Sequence, residues 1–244
     1  FLLEIGLEEI PARMIAEAQG ELLTRVDLLL SRERLVDRTG SLVWTNDPHD
    51  GHRVGLQLNG NQVANSYSTP RRLAVLVKGV LDAQEDREER VDGPPVSIAY
   101  KDGKPTQAAL AFAKKVGVSM EELLRIQTTK GEYICARAIR KGRSAAEIIA
   151  AEIPGVFLNI YWAKNMYWRE GKPERSVRPV RWIVALLDSE IVPLEIAGIR
   201  AGNIGRGHRV LHGDSPVAIA SPSAYTEALR EAKVLVDVSV RRHV

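Results

Sequence analysis

The chain carries a single cysteine, Cys135, so neither an internal disulfide nor a thiolate zinc cluster can form within it. That scarcity fits a reducing compartment, and the pattern EYICARAI places the thiol in a core. No apolar run reaches the roughly eighteen residues needed to cross a bilayer. The opening FLLEIGL reads as a strand, without the charged front of a leader. The expectation is a soluble cytoplasmic protein with no membrane partner. Nucleotide-cradling signatures are missing as well: AGNIGRGHRVLHG holds no G-x-G-x-x-G, and Gly103-Lys104-Pro105 lacks the earlier glycine and the helix of a P-loop. His49-Asp50, between Pro48 and Gly51, reads as loop, and no metal site is expected. A large excess of one charge is absent too, since 34 Lys and Arg stand against 31 Asp and Glu.

What is present is a local concentration of charge. From Arg125 to Trp182 there are twelve basic residues against five acidic ones, a net +7, whereas Asp82 to Asp92 is acidic. The predicted surface is therefore polarised. The stretch Lys164 to Leu187 condenses the basic side: Arg169, Lys172, Arg175, Arg178 and Arg181 recur every third residue, with Trp168 and Trp182 among them, before the apolar run WIVALL. Guanidinium forks suit phosphates and indoles suit bases, yet both tryptophans adjoin apolar runs and read better as core or seam residues than as stacking platforms. Arg71 and Arg72 precede a strand of strong β-formers. Neighbours on an extended chain face opposite ways, so one is predicted exposed and the other paired inside.

The elements follow from periodicity and punctuation. FLLEIGL is a strand, and apolar residues at three- and four-residue steps predict a helix over Pro11 to Val36. Thr39 to Ser68 reads as a strand, a loop and a hairpin. DGPP is predicted to be a rigid turn. Thr106 and Ser119 are predicted to cap two short helices, QAALAFAKKVG and MEELLRI, the second through a box with Glu122. KGEYICARAIR and WIVALL are predicted strands, with a turn at Asp188-Ser189. A helix is expected from Ser144, another starting at Pro154, a last one over Pro222 to Ala232, and a final strand at VLVDVSV. Strands and helices mix without a βαβ rhythm, so the predicted class is α+β, with mixed or antiparallel sheets, packed helices and a small helical insert. The domain expectation is two interleaved lobes, about 1–90 with 150–244, and 91–150 as the insert. Glu4, Glu8 and Glu9 flank the first strand's end, where helix-dipole compensation is a better reading than acid/base work.

Several segments, in order, resemble the beta subunit family of bacterial two-subunit glycyl-tRNA synthetases: FLLEIGLEEIPA, STPRRLAV, DGPP with GKPTQAALAFAKKVG, KGEY, AKNMYW, VRPVRWIVALL and GHRVL. Leu7, Asp92 and Asn165-Met166-Tyr167 depart from the family pattern, and about 44–65 looks like an insertion. The resemblance implies the N-terminal portion of a longer subunit, an α+β module similar to the B3/B4 type of phenylalanyl-tRNA synthetase. It implies an alpha-subunit partner in an α2β2 complex, in which the alpha subunit uses ATP to glycylate tRNA(Gly) and the beta subunit binds tRNA. This portion is then non-catalytic and needs no cofactor of its own.

The residues expected to touch tRNA are Arg71, Arg72, Lys130, Lys164, Arg178, Arg181, His208 and Arg209. Two alternatives stand beside that reading: a scaffold whose basic face docks protein, and an editing hydrolase. The second lacks a nucleophile, base and oxyanion set.

Overall fold

The run Leu2–Leu7 forms a strand, β1, in which every residue is buried, as a strand covered on both faces must be. The computed structural model describes residues 1–101, 103–129 and 131–244. In chain order β1 is followed by helix α1 (Ala12–Arg32) and strands β2 (Leu42–Asn46), β3 (Arg53–Leu58), β4 (Asn61–Thr69) and β5 (Arg72–Val77). Val180–Leu187 pairs on the far flank of β1, and Glu190–Ile191 folds back onto it after a turn with Asp188 at φ 50°. The seven strands therefore lie in the order Glu190–Ile191, Val180–Leu187, β1, β5, β4, β3, β2. Every pairing is antiparallel, and β1 stands near the middle.

Strand alternation then sorts β1 between two cores. Leu3, Ile5 and Leu7 enter the larger one with the α1 stripe Leu22, Leu23, Val26 and Leu30 and with Ile148, Ile149, Ile153 and Phe157 of helix Ala145–Leu158. Leu2 joins the smaller one with Ala74, Leu76, Trp182, Val184, Leu186, Val217, Ile219, Tyr225 and Leu229. Each fully buried leucine among them contributes about 1.5–3 kcal/mol. Glu4, on the same face as Leu2, is also completely buried.

The chain divides into two units, Phe1–Ala83 with Arg143–Val244, and Gln84–Gly142. The smaller unit holds a three-stranded sheet, Arg87–Pro95 against Gly131–Arg140 against Leu124–Thr128, and the helix Gln107–Val116 closed by Gly117 at φ 79°. Its ladder places Glu89 opposite Ala138 and Arg90 opposite Arg137, with Glu89 and Arg140 3.6 Å apart. Part of the basic segment is therefore a cross-strand neighbour of the acidic one, and Arg140 is offset locally by Glu89.

Several local expectations are corrected. DGPP ends an outer strand: the register shift between Tyr133 and Cys135 accommodates prolines that have no N–H to give the ladder. MEELLRI is one 3-10 turn, Met120–Glu122, followed by the strand Leu124–Thr128. The Ser119–Glu122 box is real, with the Ser119 N–H donating to Glu122 at 2.7 Å, and those hydrogen bonds lower the Glu122 pKa. Thr106 does stand at the N-cap position of Gln107–Val116, but its hydroxyl donates to the Ile98 and Ala99 carbonyls instead of accepting from the helix's amides. Pro154 lies inside a single helix, Ala145–Leu158, carried through by the burial of Ile153 and Phe157 on either side. VLVDVSV is no strand, because the Asp237 carboxylate accepts from the Ser239 and Val240 amides and so starts the helix Val238–Arg242.

That last helix is held by Arg242, which donates to the buried Asp47 at 2.7 Å. Burial acts to raise the Asp47 pKa, but the Arg242 pair and the His49 and Asp50 amides outweigh it, and the net shift is downward. A carboxylate with a lowered folded pKa stabilises above its unfolded value, near 4, and loses that contribution as pH falls through the folded value. Asp47→Asn is therefore expected to be less stable than the parent at pH 6, with the gap closing below about pH 4. Urea midpoints at several pH values check this, and a gap constant down to pH 3 would refute it.

Candidate functional site: an arginine-lined cleft above the central strand

The site begins at Gly6. Across the ladder Gly6 faces Trp182 on one side and Arg72 on the other, and Glu4 faces Val184 and Ala74 one row away. The Trp182 ring lies flat over Gly6, where an added Cβ would come within 2.0 Å of the indole. Only glycine leaves room for that ring. The indole N–H then reaches Glu4 Oε1 at 2.5 Å, while Glu4 Oε2 accepts from the Tyr225 hydroxyl at 2.5 Å and from Arg72 Nη1 at 3.2 Å. A buried carboxylate is tolerable when it is paired and hydrogen-bonded in this way. Burial, and then the neighbouring Glu4 charge, push the Tyr225 pKa well above its ordinary value, so Tyr225 stays a donor.

Arg72 extends this node outward. Its Nη2 donates to the Arg206 carbonyl at 2.6 Å, tying down the short hairpin Ile204–Arg206 with Pro216–Ala218. The chain then turns at Gly207, against which the His212 ring packs so closely that a Cβ would sit 2.4 Å from Cδ2. The His208 amide donates to the Ala232 carbonyl at 2.9 Å, and its Nδ1 accepts from the Val210 and Leu211 amides at 3.2 and 3.1 Å. His208 therefore organises the loop that presents Arg209.

Around the Trp182 edge these pieces enclose a cleft of about 720 Å³, lined by Glu8, Glu9, Arg71, Arg178, Arg181, Arg206, Gly207, Arg209, Gly213 and Asp214. Five arginines meet three carboxylates there, a net +2. Arg181 pairs with Glu8, Arg178 Nε donates to the Glu9 carbonyl at 2.8 Å, and Arg206 Nη1 lies 3.4 Å from the Asp214 carbonyl. Arg71 stacks 5.8 Å from the Trp182 ring centre and, like Arg209, has no carboxylate partner among the described residues. Such an arrangement binds anions: two cations are uncommitted, and three are oriented by carbonyls or a displaceable carboxylate.

Of the eight predicted contact residues, Arg71, Arg178, Arg181 and Arg209 line this one cleft. Arg72 is 3% exposed and committed to Glu4 and the Arg206 carbonyl, so alternation along the chain divides the Arg71-Arg72 pair between surface and interior. His208 shapes the adjoining loop. Lys164 is exposed in the segment before the short strand Met166–Tyr167 and does not line the cleft. Lys130 lies outside the described residues. Trp182, 7% exposed, is part of the core. Arg206 and Glu8 were not singled out from the sequence as contacts: one is alone among glycines, and the other belongs to an acidic cluster at a helix start.

Comparisons with known proteins agree with one another. All of residues 1–244 match the family described as glycyl-tRNA synthetase beta subunit. The chain is 54% identical to a glycine–tRNA ligase beta subunit from Acidobacterium capsulatum over 243 residues, covering 100% of this chain and 31% of that protein. It is 37% identical to those of a Picosynechococcus strain and of Myxococcus xanthus, in each case over 99% of this chain and 31% of the relative. The chain thus spans about a third of the length of these relatives. With a match that runs from end to end and identity above one half, the chain belongs to the glycyl-tRNA synthetase beta subunit family.

Proposed function

We propose that this region serves a tRNA-binding beta subunit of glycine–tRNA ligase, and that the arginine cleft contacts the phosphates of tRNA(Gly). The alpha subunit of an α2β2 cytoplasmic complex uses ATP and carries out glycylation, and this part of the beta chain contributes binding without a cofactor or catalytic group of its own. The observation that carries the reading is the cleft itself. Arg71 and Arg209 have no carboxylate partner among the described residues, and both stand beside three further guanidinium groups. Each phosphate neutralised by such a group adds about 0.7–0.9 to the slope of log affinity against log salt.

Arg71→Ala with Arg209→Ala in the intact enzyme is therefore expected to weaken tRNA binding and to flatten that slope by about one to two units. Anisotropy titrations across a potassium chloride series measure both quantities. A slope identical to that of the parent enzyme would remove the cleft from tRNA contact.

One observation favours a second reading, in which the cleft docks acidic protein surface of the alpha subunit or a later beta domain. Arg181 already holds a carboxylate, that of Glu8, and a partner's aspartate or glutamate would meet the same geometry. Subunit assembly, measured alongside tRNA affinity, separates the two.

A further inference from the structure

The chain has thirteen aromatic side chains, four Trp, six Tyr and three Phe. Among the described residues, those exposed by more than a third are Tyr161 (65%), Tyr167 (64%) and Trp168 (36%), and all three fall within eight positions. Exposure confined to one segment, in which only Trp162 is buried, contrasts with the rest of the fold, where Phe1, Phe157, Trp182 and Tyr225 are all buried. The segment is also built rather than loose. Met166–Tyr167 pairs with Arg175–Ser176, and the Trp168 indole N–H donates to the Ser176 carbonyl at 2.9 Å, fixing the ring at the hairpin. Arg175 lies 5.6 Å from the Tyr167 ring centre, as a cation over a π face. Arg169 is paired with Glu174, but Lys164, Lys172 and Arg175 make no ion pair among the described residues. Two residues beyond Ser176 the chain reaches Arg178, and the Ser176 hydroxyl donates to the Arg178 carbonyl at 2.7 Å. The aromatic hairpin thus runs directly into the wall of the cleft.

From this we infer that Tyr161, Tyr167 and the 166–176 hairpin form a stacking platform for unpaired nucleotides of an RNA whose phosphates continue into the arginine cleft. The inference rests on the cleft's proposed role in tRNA contact and adds what the cleft cannot do. An arginine cleft senses backbone charge, whereas an exposed ring accepts only a base that has left its helix. Paired bases in an A-form stem are closed to such rings, so the platform selects single-stranded or splayed segments. From Lys164 to Ser176 four basic residues, Lys164, Arg169, Lys172 and Arg175, stand against Glu170 and Glu174, and this net +2 around the rings favours a polyanionic RNA over a neutral or basic protein surface. Trp168 supplies the anchored edge of the platform. The two tyrosines, both more exposed, supply the faces.

The test uses the intact enzyme with the double variant Tyr161→Leu, Tyr167→Leu, which keeps apolar area but removes the π faces. A labelled oligoadenylate serves as the unpaired probe, and inorganic polyphosphate serves as a probe of charge alone. Expected is a loss of about tenfold or more in oligoadenylate affinity, with the Tyr161→Phe, Tyr167→Phe variant binding as the parent does. Polyphosphate affinity and its salt slope stay at parent values in both variants. Unchanged oligoadenylate binding by the leucine variant would overturn the proposal. So would an equal loss of polyphosphate binding, or dissociation of the subunits, the latter making the platform a protein contact. Failure of the cleft reading shows separately, as arginine variants that leave polyphosphate and tRNA binding unaltered.

Discussion

Replacing Glu4 by alanine is expected to cost the fold about 3–5 kcal/mol, the penalty for removing one partner of a buried ion pair. The reason is the company Glu4 keeps. Arg72 is 3% exposed, and its other hydrogen bond is to the Arg206 carbonyl, which carries no charge to replace the carboxylate. The Trp182 N–H and the Tyr225 hydroxyl lose their acceptor at the same time. A typical domain has only about 5–15 kcal/mol in hand, so the variant is expected to unfold at much lower urea, with the transition followed through tryptophan fluorescence. Glu4→Gln keeps an acceptor oxygen but not the charge, and should fall between parent and alanine variant. An alanine variant with a urea midpoint equal to the parent's would mean that Arg72 finds another partner or swings into water, and the node would have no structural weight.

Reversing both Arg178 and Arg181 to glutamate is expected to lower the affinity of the intact enzyme for tRNA by about 10–100-fold near 0.1 M salt, from two lost phosphate contacts. The change also sets a glutamate at position 181 against Glu8, the carboxylate that Arg181 now holds, and releases the Glu9 carbonyl from Arg178. Both effects fall in the cleft and leave the Glu4 node untouched. If affinity drops while the assembly keeps its size, the arginines face RNA. If the subunits separate, they face protein. If neither changes, the cleft has no part in either role.

The strands FLLEIGL and WIVALL could be identified from sequence because each is a short run dominated by apolar residues, and α1 because its stripe repeats at helical steps. The brace at Arg178 and the loop role of His208 were also foreseeable, since an arginine before a proline and a lone histidine both favour backbone partners. Glu4 was not. Its partners Arg72, Trp182 and Tyr225 lie 68, 178 and 221 positions along the chain, and no local pattern reveals a carboxylate satisfied from such distances. Local signals failed where two readings fit equally: VLVDVSV alternates like a strand, and only the side chain of Asp237 turning back on its own amides decides for a helix. The cleft was visible as single arginines and not as a cavity, because Arg71, Arg178, Arg181 and Arg209 meet only once β1 has brought Val180–Leu187 and β5 to its two sides.

The central place of β1 also sets a timetable for synthesis. Leu2 pairs with Leu76 on one side and Leu186 on the other, so one flank of a wholly buried strand stays open until the ribosome has delivered the chain as far as Leu186. At about 5–20 residues per second that wait lasts on the order of ten to forty seconds. Meanwhile the strand pairings of the unit Gln84–Gly142 all lie within that unit, so its sheet waits for no later strand. The strand at the centre of the larger sheet is therefore made early and completed late, and during that interval its open edge is the part of the nascent chain that a chaperone has most reason to shield.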